Sequence, residues 1–428
     1  RYLTGSDPAW YGVSRCNLDG SPSTFADAKG QGTVKNLCVM YTARKETQPV
    51  GGKPIPGLAV RGYDLLIADA AFHKIRVYDK ELMTPKREFP LIPSHAVPGK
   101  MILDAQGRLW VSQYDSVTAK WTVCQYDTGG TPTGKKIGDI TLPSALCLDR
   151  NGRLMIADIS RSRQQIRWYD ITATPAVKDS FGVSVFSGAS PGRIEPGRFA
   201  GITGVGIDSS GNLYISENGI GPGHDNYFGA KLWKFNASRQ YQWVLDGLMF
   251  MDCAAADPGA DTNVYSRASK FVLDYRLPTQ AGLNHPSWRH TGRLVDPFTW
   301  PDDPRIVWKD QVGPEIIRIK DHRFLAITEN DNAVVIYRFE GDRSIPAVMF
   351  HKGPDAAYPP NNPYGRVAPG GWKACLWVDK NGNGRFEASE WDTIYGLYSM
   401  NIIRASFVDP QGTVWLGQSQ NNPSINKF

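Results

Sequence analysis

One pattern of apolar and polar positions recurs along the chain. Each copy has an aliphatic residue, an aspartate, two variable residues, a glycine and one further residue, followed by an apolar stretch; complete copies begin at Leu103, Leu148, Ile207 and Val408. The aspartate can accept hydrogen bonds from backbone N–H groups of a turn, and the glycine can adopt the positive φ that such a turn needs. The pattern therefore predicts a tight turn and then a strand that is buried on both faces. The turn residues would be Asp104 with Gly107, Asp149 with Gly152, Asp208 with Gly211 and Asp409 with Gly412.

Degenerate copies of the same pattern begin at Arg61, Ala256 and Asp321. A second stretch follows each copy, as in KIRVYD from Lys74 and QIRWYD from Gln165, and its alternation predicts an outer, half-exposed strand. The apolar strands recur at steps of about 44 to 61 residues, with one last step of about 90, and no helical pattern of useful length intervenes. We therefore predict an all-β fold, a single β-propeller over residues 1–428. Seven blades are expected, six if one degenerate copy is only an insertion, and the last step could hide an eighth.

The repeat resembles a known family. The pattern D-x-x-G-x-(L/V)-aromatic-(I/V)-(A/S)-(D/E), followed by (I/L)-R-x-(Y/F), is similar to the NHL repeat, and ADAAFHKIRVYD from Ala68 and ADISRSRQQIRWYD from Ala157 carry it most fully. The resemblance covers about three quarters of the chain; it implies a propeller and leaves the activity open, because NHL-type propellers serve as enzymes, adaptors and surface proteins. A more distant resemblance links the chain to gluconolactonase and peptidyl-amidoglycolate-lyase propellers.

That second resemblance implies a metal site at the central channel. Lyases of this kind place zinc-binding histidines near a position that His95 occupies, just before the second strand of a blade, while Ser144 and Thr203 take roughly equivalent places in later blades. Lactonases hold one metal with Glu, Asn and Asp side chains. The candidates that follow apolar strands are Asp158, Glu217, Asn218, Glu329 and Asn330. The same residue types close turns in any blade, which is the alternative interpretation.

The most specific local motif is DKNGNGRFEASE, residues 379–390, which matches the calcium-loop pattern D-x-N-x-N-G-x5-E at every fixed position. Gly384 would permit the sharp turn at the sixth position. The predicted calcium ligands are Asp379, Asn381, Asn383, the backbone carbonyl of Arg385, Glu387 and Glu390, the last of them bidentate. The preceding KACLWV predicts a strand where an EF-hand has a helix, so we expect the loop to lie between propeller strands and calcium to stabilise the fold. A plain blade turn is the alternative, because VDKNG also fits the repeat.

Two stretches, residues 275–306 and 353–395, are rich in Pro, Asn and aromatic residues and are predicted to be loop insertions; the second carries the calcium-type loop. Such insertions usually decorate a propeller face. They would provide a binding surface or simply cover exposed blade edges.

Composition and charge change this interpretation little. Lys and Arg number 48 against 42 Asp and Glu, a net charge of +6 with the signs interspersed, which does not favour a nucleic-acid partner. No apolar run reaches the ~18 residues that a membrane-spanning helix needs. The six cysteines form no C-x-x-C motif; they permit three disulfides, with Cys16 and Cys38 the simplest local pair, or buried free thiols.

The sequence as a whole favours a secreted, periplasmic or cell-surface propeller that works by binding, because it combines a repeat scaffold with long aromatic loops and assembles no catalytic constellation. The chain begins at Arg1 and not at Met, for which a removed signal peptide is one explanation. Expected partners are a protein, a glycan or further copies of the chain. The alternative function is a metal-dependent lyase or lactonase acting at the central channel.

Overall fold

The computed structural model of the chain describes residues 2–3, 9–23, 25–26, 33–34, 36–42, 55–221, 228–247, 253–277, 287–307, 311–329, 333–351, 359–364, 374–394, 402–419 and 424–428. In this part of the chain the secondary structure is almost entirely β. The N-terminal strands are β1 (Tyr2–Leu3), β2 (Ala9–Cys16), β3 (Pro22–Ser23), β4 (Phe25–Ala26), β5 (Thr33–Val34) and β6 (Asn36–Thr42). Strand β2 pairs with β1, β3 and β6, and β4 pairs with β5.

Antiparallel sheets then follow one another along the chain. Sheet 1 contains β7 (Leu58–Arg61), β8 (Asp64–Asp69), β9 (Lys74–Asp79) and β10 (Pro85–Pro90). Sheet 2 contains β11 (Ala96–Leu103), β12 (Leu109–Asp115), β13 (Lys120–Tyr126) and β14 (Pro132–Ile137). Sheet 3 contains β15 (Pro143–Leu148), β16 (Leu154–Asp158), β17 (Gln165–Asp170) and β18 (Ala176–Phe181). A short parallel pair, β19 (Val183–Ser184) and β20 (Arg198–Phe199), comes next.

The second half of the chain repeats the arrangement with variations. Sheet 4 contains β21 (Ile202–Ile207), β22 (Leu213–Glu217), β23 (Lys231–Phe235) and β24 (Tyr241–Asp246). Sheet 5 contains β25 (Ala255–Asp257), β26 (Ala260–Tyr265), β27 (Ser269–Leu273) and β28 (Trp288–Arg293), and the short helix α1 (Pro304–Val307) follows it. Sheet 6 contains β29 (Gln311–Ile319), β30 (His322–Glu329), β31 (Ala333–Glu340), β32 (Arg343–His351), β33 (Cys375–Val378) and β34 (Trp391–Thr393). Sheet 7 contains β35 (Ile402–Val408), β36 (Val414–Ser419) and β37 (Ser424–Lys427).

Neighbouring sheets stack face to face. Their first strands touch one another, β7 with β11, β11 with β15, β15 with β21 and β25 with β29, while apolar cores fill the space between the faces. Trp110 and Tyr169 are buried between sheets 2 and 3, and Trp377 and Tyr337 lie in the core that joins sheets 5 and 6. Each large apolar side chain buried in this way contributes about 1.5–3 kcal/mol. The all-β propeller prediction is therefore confirmed. The number of blades stays a prediction.

The turn chemistry predicted from the repeat is also confirmed. In sheet 2, one carboxylate oxygen of Asp104 accepts hydrogen bonds from the backbone N–H groups of Gln106 at 3.1 Å and Arg108 at 2.9 Å. Gly107 has a φ of +74°, which a side chain would strain. The other carboxylate oxygen accepts from the indole of the buried Trp110 at 3.3 Å. This turn is thereby joined to β12, the strand that follows it. The corresponding aspartates, Asp149, Asp208 and Asp409, accept the same pair of backbone bonds.

Two expectations about strands and loops are corrected. The stretches read as outer strands, such as KIRVYD, are the third strands of their sheets and are largely buried, because in sheets 1 to 6 a fourth strand pairs with them on the outer side. In sheet 1 this fourth strand is polar and mostly exposed. In addition, the predicted insertion 275–306 contains β28, which pairs with β27, and α1. The predicted insertion 353–395 likewise contributes β33 and β34 to the edge of sheet 6.

The simplest disulfide is not formed. The pairing of β2 with β6 places Cys38 opposite Gly12 and not opposite Cys16, which is a free thiol. Burial raises the pKa of the Cys375 thiol to about 12, so this group is an inert part of the core. Among the described residues, no helix is long and apolar enough to cross a membrane.

Candidate functional site

The calcium-type loop connects β33 to β34 at the edge of sheet 6. In β33, Cys375 and Trp377 point into the buried core while Leu376 and Val378 are half-buried, which is the alternation of an amphipathic strand. Strand β34 returns antiparallel, with Trp391 opposite Trp377. The prediction that a strand and not a helix leads into this loop is confirmed. The loop is therefore the turn of a β-hairpin.

The loop curls around its own side-chain oxygens. Asp379 Oδ2 accepts a hydrogen bond from the backbone N–H of Gly384 at 3.0 Å, Asn381 Oδ1 accepts from Asn383 at 2.9 Å, and Asn383 Oδ1 accepts from Arg385 at 2.7 Å. Gly384 has a φ of +69°, and a Cβ there would lie 2.4 Å from the side chain of Ile345. Only glycine fits this position. The sequence pattern is thus explained by local geometry, with or without an ion.

The two glutamates close the loop from its far end. Glu390 is 3% exposed, and its Oε1 accepts a hydrogen bond from the backbone N–H of Lys380 at 3.0 Å. Its Oε2 accepts from the indole N–H of Trp377 at 3.1 Å. Glu387 accepts from the side-chain amides of Asn381 and Asn383 at 3.0 and 2.7 Å. The structure therefore brings the side chains of the predicted ligands Asp379, Asn381, Asn383, Glu387 and Glu390 together within one turn.

One atom of the loop has no partner. The side chain of Asp379 is 2% exposed, and its Oδ1 is buried without a hydrogen bond, although an unsatisfied buried oxygen destabilises a fold by about 1–3 kcal/mol. The guanidinium of Arg338 lies 3.2 Å from the other oxygen of the same carboxylate and also donates to the carbonyl of Gly382. A hard cation would satisfy the orphaned oxygen, and carboxylate and amide oxygens are the ligands that Ca²⁺ prefers. The residues present fit a calcium ion in type, although the three carboxylates of the described loop do not converge in a metal-binding geometry in this structure.

The acidic candidates for a channel metal have local roles. Asp158, at the end of β16, is completely buried; it accepts hydrogen bonds from the backbone of Thr141, Leu142 and Ser160 at 3.0 to 3.2 Å and pairs with Arg163 at 2.8 Å. Although burial opposes it, these bonds lower the pKa of Asp158. Such a carboxylate ties the incoming connection of its sheet to the strand end.

The next candidates, in sheet 4, behave alike. Glu217 accepts hydrogen bonds from the backbone of Ala200 at 2.8 Å and the indole of Trp233 at 3.2 Å, and it pairs with the buried Arg293 at 3.0 Å. Asn218 closes a turn by accepting from the backbone of Gly221. The side chain of Glu329 and all of Asn330 lie outside the described residues. Across the described part of the chain, no three His, Cys, Asp or Glu side chains converge in a metal-binding geometry.

His95 does not precede the second strand of a blade. It precedes β11, the first strand of sheet 2, and its Nε2 contacts Asp115 at 2.8 Å. Although burial opposes the change, hydrogen bonds from Thr118 and Val117 and the contact with His95 lower the pKa of Asp115 to about 2. In the equivalent positions, Ser144 is buried and Thr203 contacts Ser216 at 3.0 Å. His95 therefore has an acidic partner of its own and belongs to no group of three ligand-type side chains among the described residues.

Two features escaped the sequence analysis. Glu315 lies on the first strand of sheet 6, where burial raises its pKa despite a hydrogen bond from the backbone of Val408. Between sheets 4 and 5, the contact includes buried charged and polar groups as well as apolar ones: Glu217, Lys231, His290 and Arg293 are all buried there, and Lys231 pairs with Asp246. Neither feature has a local sequence signal, because each depends on residues distant in the chain.

Comparisons with known proteins give low similarities. No protein-family model and no curated protein sequence matches the chain. Among solved structures, a protein assigned as a gluconolactonase is 12% identical with a TM-score of 0.34, covering 59% of this chain and 78% of that one. The virginiamycin B lyase of Staphylococcus aureus is 12% identical with a TM-score of 0.31, covering 66% and 80%. The Cps50 (Swd1) β-propeller domain of Myceliophteria thermophila is 11% identical with a TM-score of 0.31, covering 71% and 88%. The fold assignment rests on the sheets described above, and the resemblance to the NHL repeat stays a prediction.

Proposed function

We propose that this protein is an NHL-type propeller that acts as a binding or scaffold module, secreted, periplasmic or at the cell surface, with Ca²⁺ stabilising the hairpin of sheet 6. One observation carries the binding role. The carboxylates at the strand ends, Asp158 and Glu217, already accept hydrogen bonds and form ion pairs that stabilise their own sheets. Their chemistry is therefore structural, and the faces of the propeller are left for recognition.

The calcium proposal rests on the loop itself. The ion would be held by Asp379, Asn381, Asn383, Glu387 and Glu390, with the backbone carbonyl of Arg385. It would also give the buried Oδ1 of Asp379 the partner that this atom lacks. The ion would supply positive charge that fixes the turn between β33 and β34. Calcium sites of extracellular modules bind at ~10⁻⁴–10⁻³ M, so this is the affinity that we expect at the proposed location. Equilibrium dialysis against calcium, after treatment with a chelator, should give one ion per chain; the absence of saturable binding at millimolar calcium would refute this part.

The binding role is tested separately from the ion. A protein, a glycan and a second copy of the chain are the proposed partners, and three measurements distinguish them: affinity capture with identified proteins confirmed by titration, a glycan array, and light scattering across a range of concentrations. Saturable binding in one of the three would support the proposal. Saturable binding in none of the three, with the protein folded, would contradict it.

Glu315 is the observation that favours the alternative, a metal-dependent lyase or lactonase. Its carboxyl lies on the first strand of sheet 6, and burial raises its pKa, which is the direction that favours a general acid. If this alternative is right, purified protein should open model lactones in a metal-dependent reaction. Glu315→Gln should abolish that activity while leaving any partner binding unchanged.

A further inference from the structure

A polar cavity of about 600 Å³ opens at the end of sheet 6 where the turns between strands lie. Its lining includes Arg318, His322, Arg323 and Arg338, against one carboxylate, that of Asp321. The strand register explains this concentration of positive charge. Arg318 on β29 lies directly opposite Arg323 on β30, and the neighbouring Phe324 lies opposite Arg338 on β31. Like charges directly opposite one another on paired strands destabilise a sheet, so this arrangement needs a reason.

Carboxylates that do not line the cavity hold these arginines in place. Asp257, completely buried on β25 of sheet 5, accepts from Arg318 at 2.7 and 2.9 Å and lies 3.7 Å from Arg323. Asp379 does the same for Arg338. These ion pairs, which lie outside the cavity lining, therefore fix the orientation of the guanidinium groups before any ligand binds. Pre-oriented guanidinium groups lose little conformational entropy when they bind a ligand.

Two of the guanidinium groups have N–H donors that make no hydrogen bond. The Nε of Arg323 and one terminal nitrogen of Arg338 are buried and have no hydrogen-bond partner. Arg323 also lies over the ring of Phe339, 4.0 Å from its centre, which fixes the plane of the guanidinium. A buried N–H group without an acceptor is unfavourable, and a charged one more so. The surrounding protein groups therefore leave part of the hydrogen-bonding capacity of these two guanidinium groups unused.

We propose that this cavity binds a divalent tetrahedral oxyanion, a sulfate or phosphate group, through Arg318, Arg323 and Arg338. Guanidinium groups form charge-assisted, often bidentate, hydrogen bonds with such groups. The cavity is several times larger than one inorganic ion, so there is room for the organic part of an ester beside Phe324. The positive charges of this site are contributed by β29, β30 and β31, and the site adjoins the proposed calcium loop, because Asp379 is also the ion-pair partner of Arg338.

Calorimetric titration of the chelator-treated protein tests the proposal at constant ionic strength. The probes are inorganic phosphate, inorganic sulfate, glucose 6-phosphate and, as a monovalent carboxylate, acetate. We expect one saturable site for the divalent anions, with acetate at least ~10-fold weaker. Tighter binding of glucose 6-phosphate than of inorganic phosphate would identify an ester as the preferred source, and the reverse would identify the free ion.

Three variants locate the site. Arg323→Gln and Arg318→Gln should each weaken phosphate binding by ~10-fold or more. Arg276→Gln removes an arginine three residues past β27 whose side chain is 88% exposed, and it should leave binding unchanged. Near-UV circular dichroism establishes whether each variant is folded. Arg323 also contacts Tyr265, so Arg323→Gln could misfold, and binding by Arg318→Gln would then be the test of the site. Heat that does not saturate, or equal binding by Arg318→Gln and the unaltered protein, would overturn the proposal.

Discussion

Arg338 and Asp379 meet at 3.2 Å between the third strand of sheet 6 and the first position of its calcium-type loop. The arginine thereby places a positive charge beside a carboxylate that we propose as a calcium ligand. In the absence of metal, this pair neutralises part of the negative charge of the loop. When metal binds, two cations share one carboxylate, and the like charges repel.

The first prediction concerns this shared carboxylate. In Arg338→Gln, the metal-free protein should lose more than the ~1 kcal/mol that an exposed ion pair contributes, because the buried carboxylate of Asp379 loses its charged partner. Its affinity for Ca²⁺ should rise by ~3–10-fold, because a nearby positive charge is gone. Urea unfolding and calcium titration measure the two effects. Lys380→Gln is the matched control, since it removes an exposed cation of the loop; a weaker calcium affinity in Arg338→Gln would show that the arginine positions Asp379 instead.

The second prediction concerns the twelfth position of the loop. Glu390→Gln replaces a buried carboxylate with a neutral amide, so calcium affinity should fall by ~10–100-fold and the stabilisation by millimolar calcium should disappear. Thermal unfolding with and without calcium gives the measurement. Asp392→Asn, an exposed acidic residue just past the loop, should keep the calcium-dependent shift. An unchanged shift in Glu390→Gln would contradict the proposed ligand set.

The third prediction separates backbone strain from steric fit in the loop. Gly382 and Gly384 both have positive φ, +77° and +69°, but the nearest atom to a Cβ at residue 382 lies 4.0 Å away, against 2.4 Å at residue 384. Gly382→Ala should therefore cost about 1 kcal/mol for the backbone alone. Gly384→Ala should cost about 1–3 kcal/mol more, because Ile345 and Trp300 must move. Urea denaturation of both variants gives the comparison, and equal losses would show that the packing at residue 384 adapts freely.

The fourth prediction is a pH dependence of stability. Complete burial, reinforced by the nearby charges of Lys231 and Arg293, holds the pKa of His290 well below its usual range. The unfolded chain takes up a proton near pH 6.5 that the folded chain refuses, so stability should fall as the pH drops below about 6.5, by up to about 1.4 kcal/mol per pH unit.

Urea unfolding at pH 7.5 and pH 5.0 tests this dependence. The loss of stability on acidification should be smaller in His290→Gln, which cannot titrate, than in the unaltered protein. His322→Gln, at an exposed position, provides the control for removing a histidine. If His290→Gln loses as much stability on acidification as the unaltered protein does, His290 is not the source of the effect.

The sequence predicted those parts of the fold that depend on neighbouring residues. The turn of Asp104 and Gly107 forms within five residues, so its chemistry is visible in the pattern. Fourth strands such as β10 were missed because they are exposed and polar, as PKREFP is, and carry no apolar repeat. The charged contact between sheets 4 and 5 could not be predicted either, since Glu217 and Arg293 are 76 positions apart. The types of ligand in the loop were predicted from the sequence. The ion pair of Arg338 with Asp379 was not predicted, because Arg338 lies on another strand, distant in the sequence.

The clamp that Asp257 applies to Arg318 and Arg323 joins two consecutive sheets. A fragment that begins after sheet 5 could form the hairpins of sheet 6 and still lack the geometry that the arginines require, because Asp257 would be missing. Oxyanion affinity would therefore report on docking between modules and not on hairpin formation. During stepwise denaturation, it should vanish as soon as these two modules separate, ahead of the circular dichroism signal from the strands themselves.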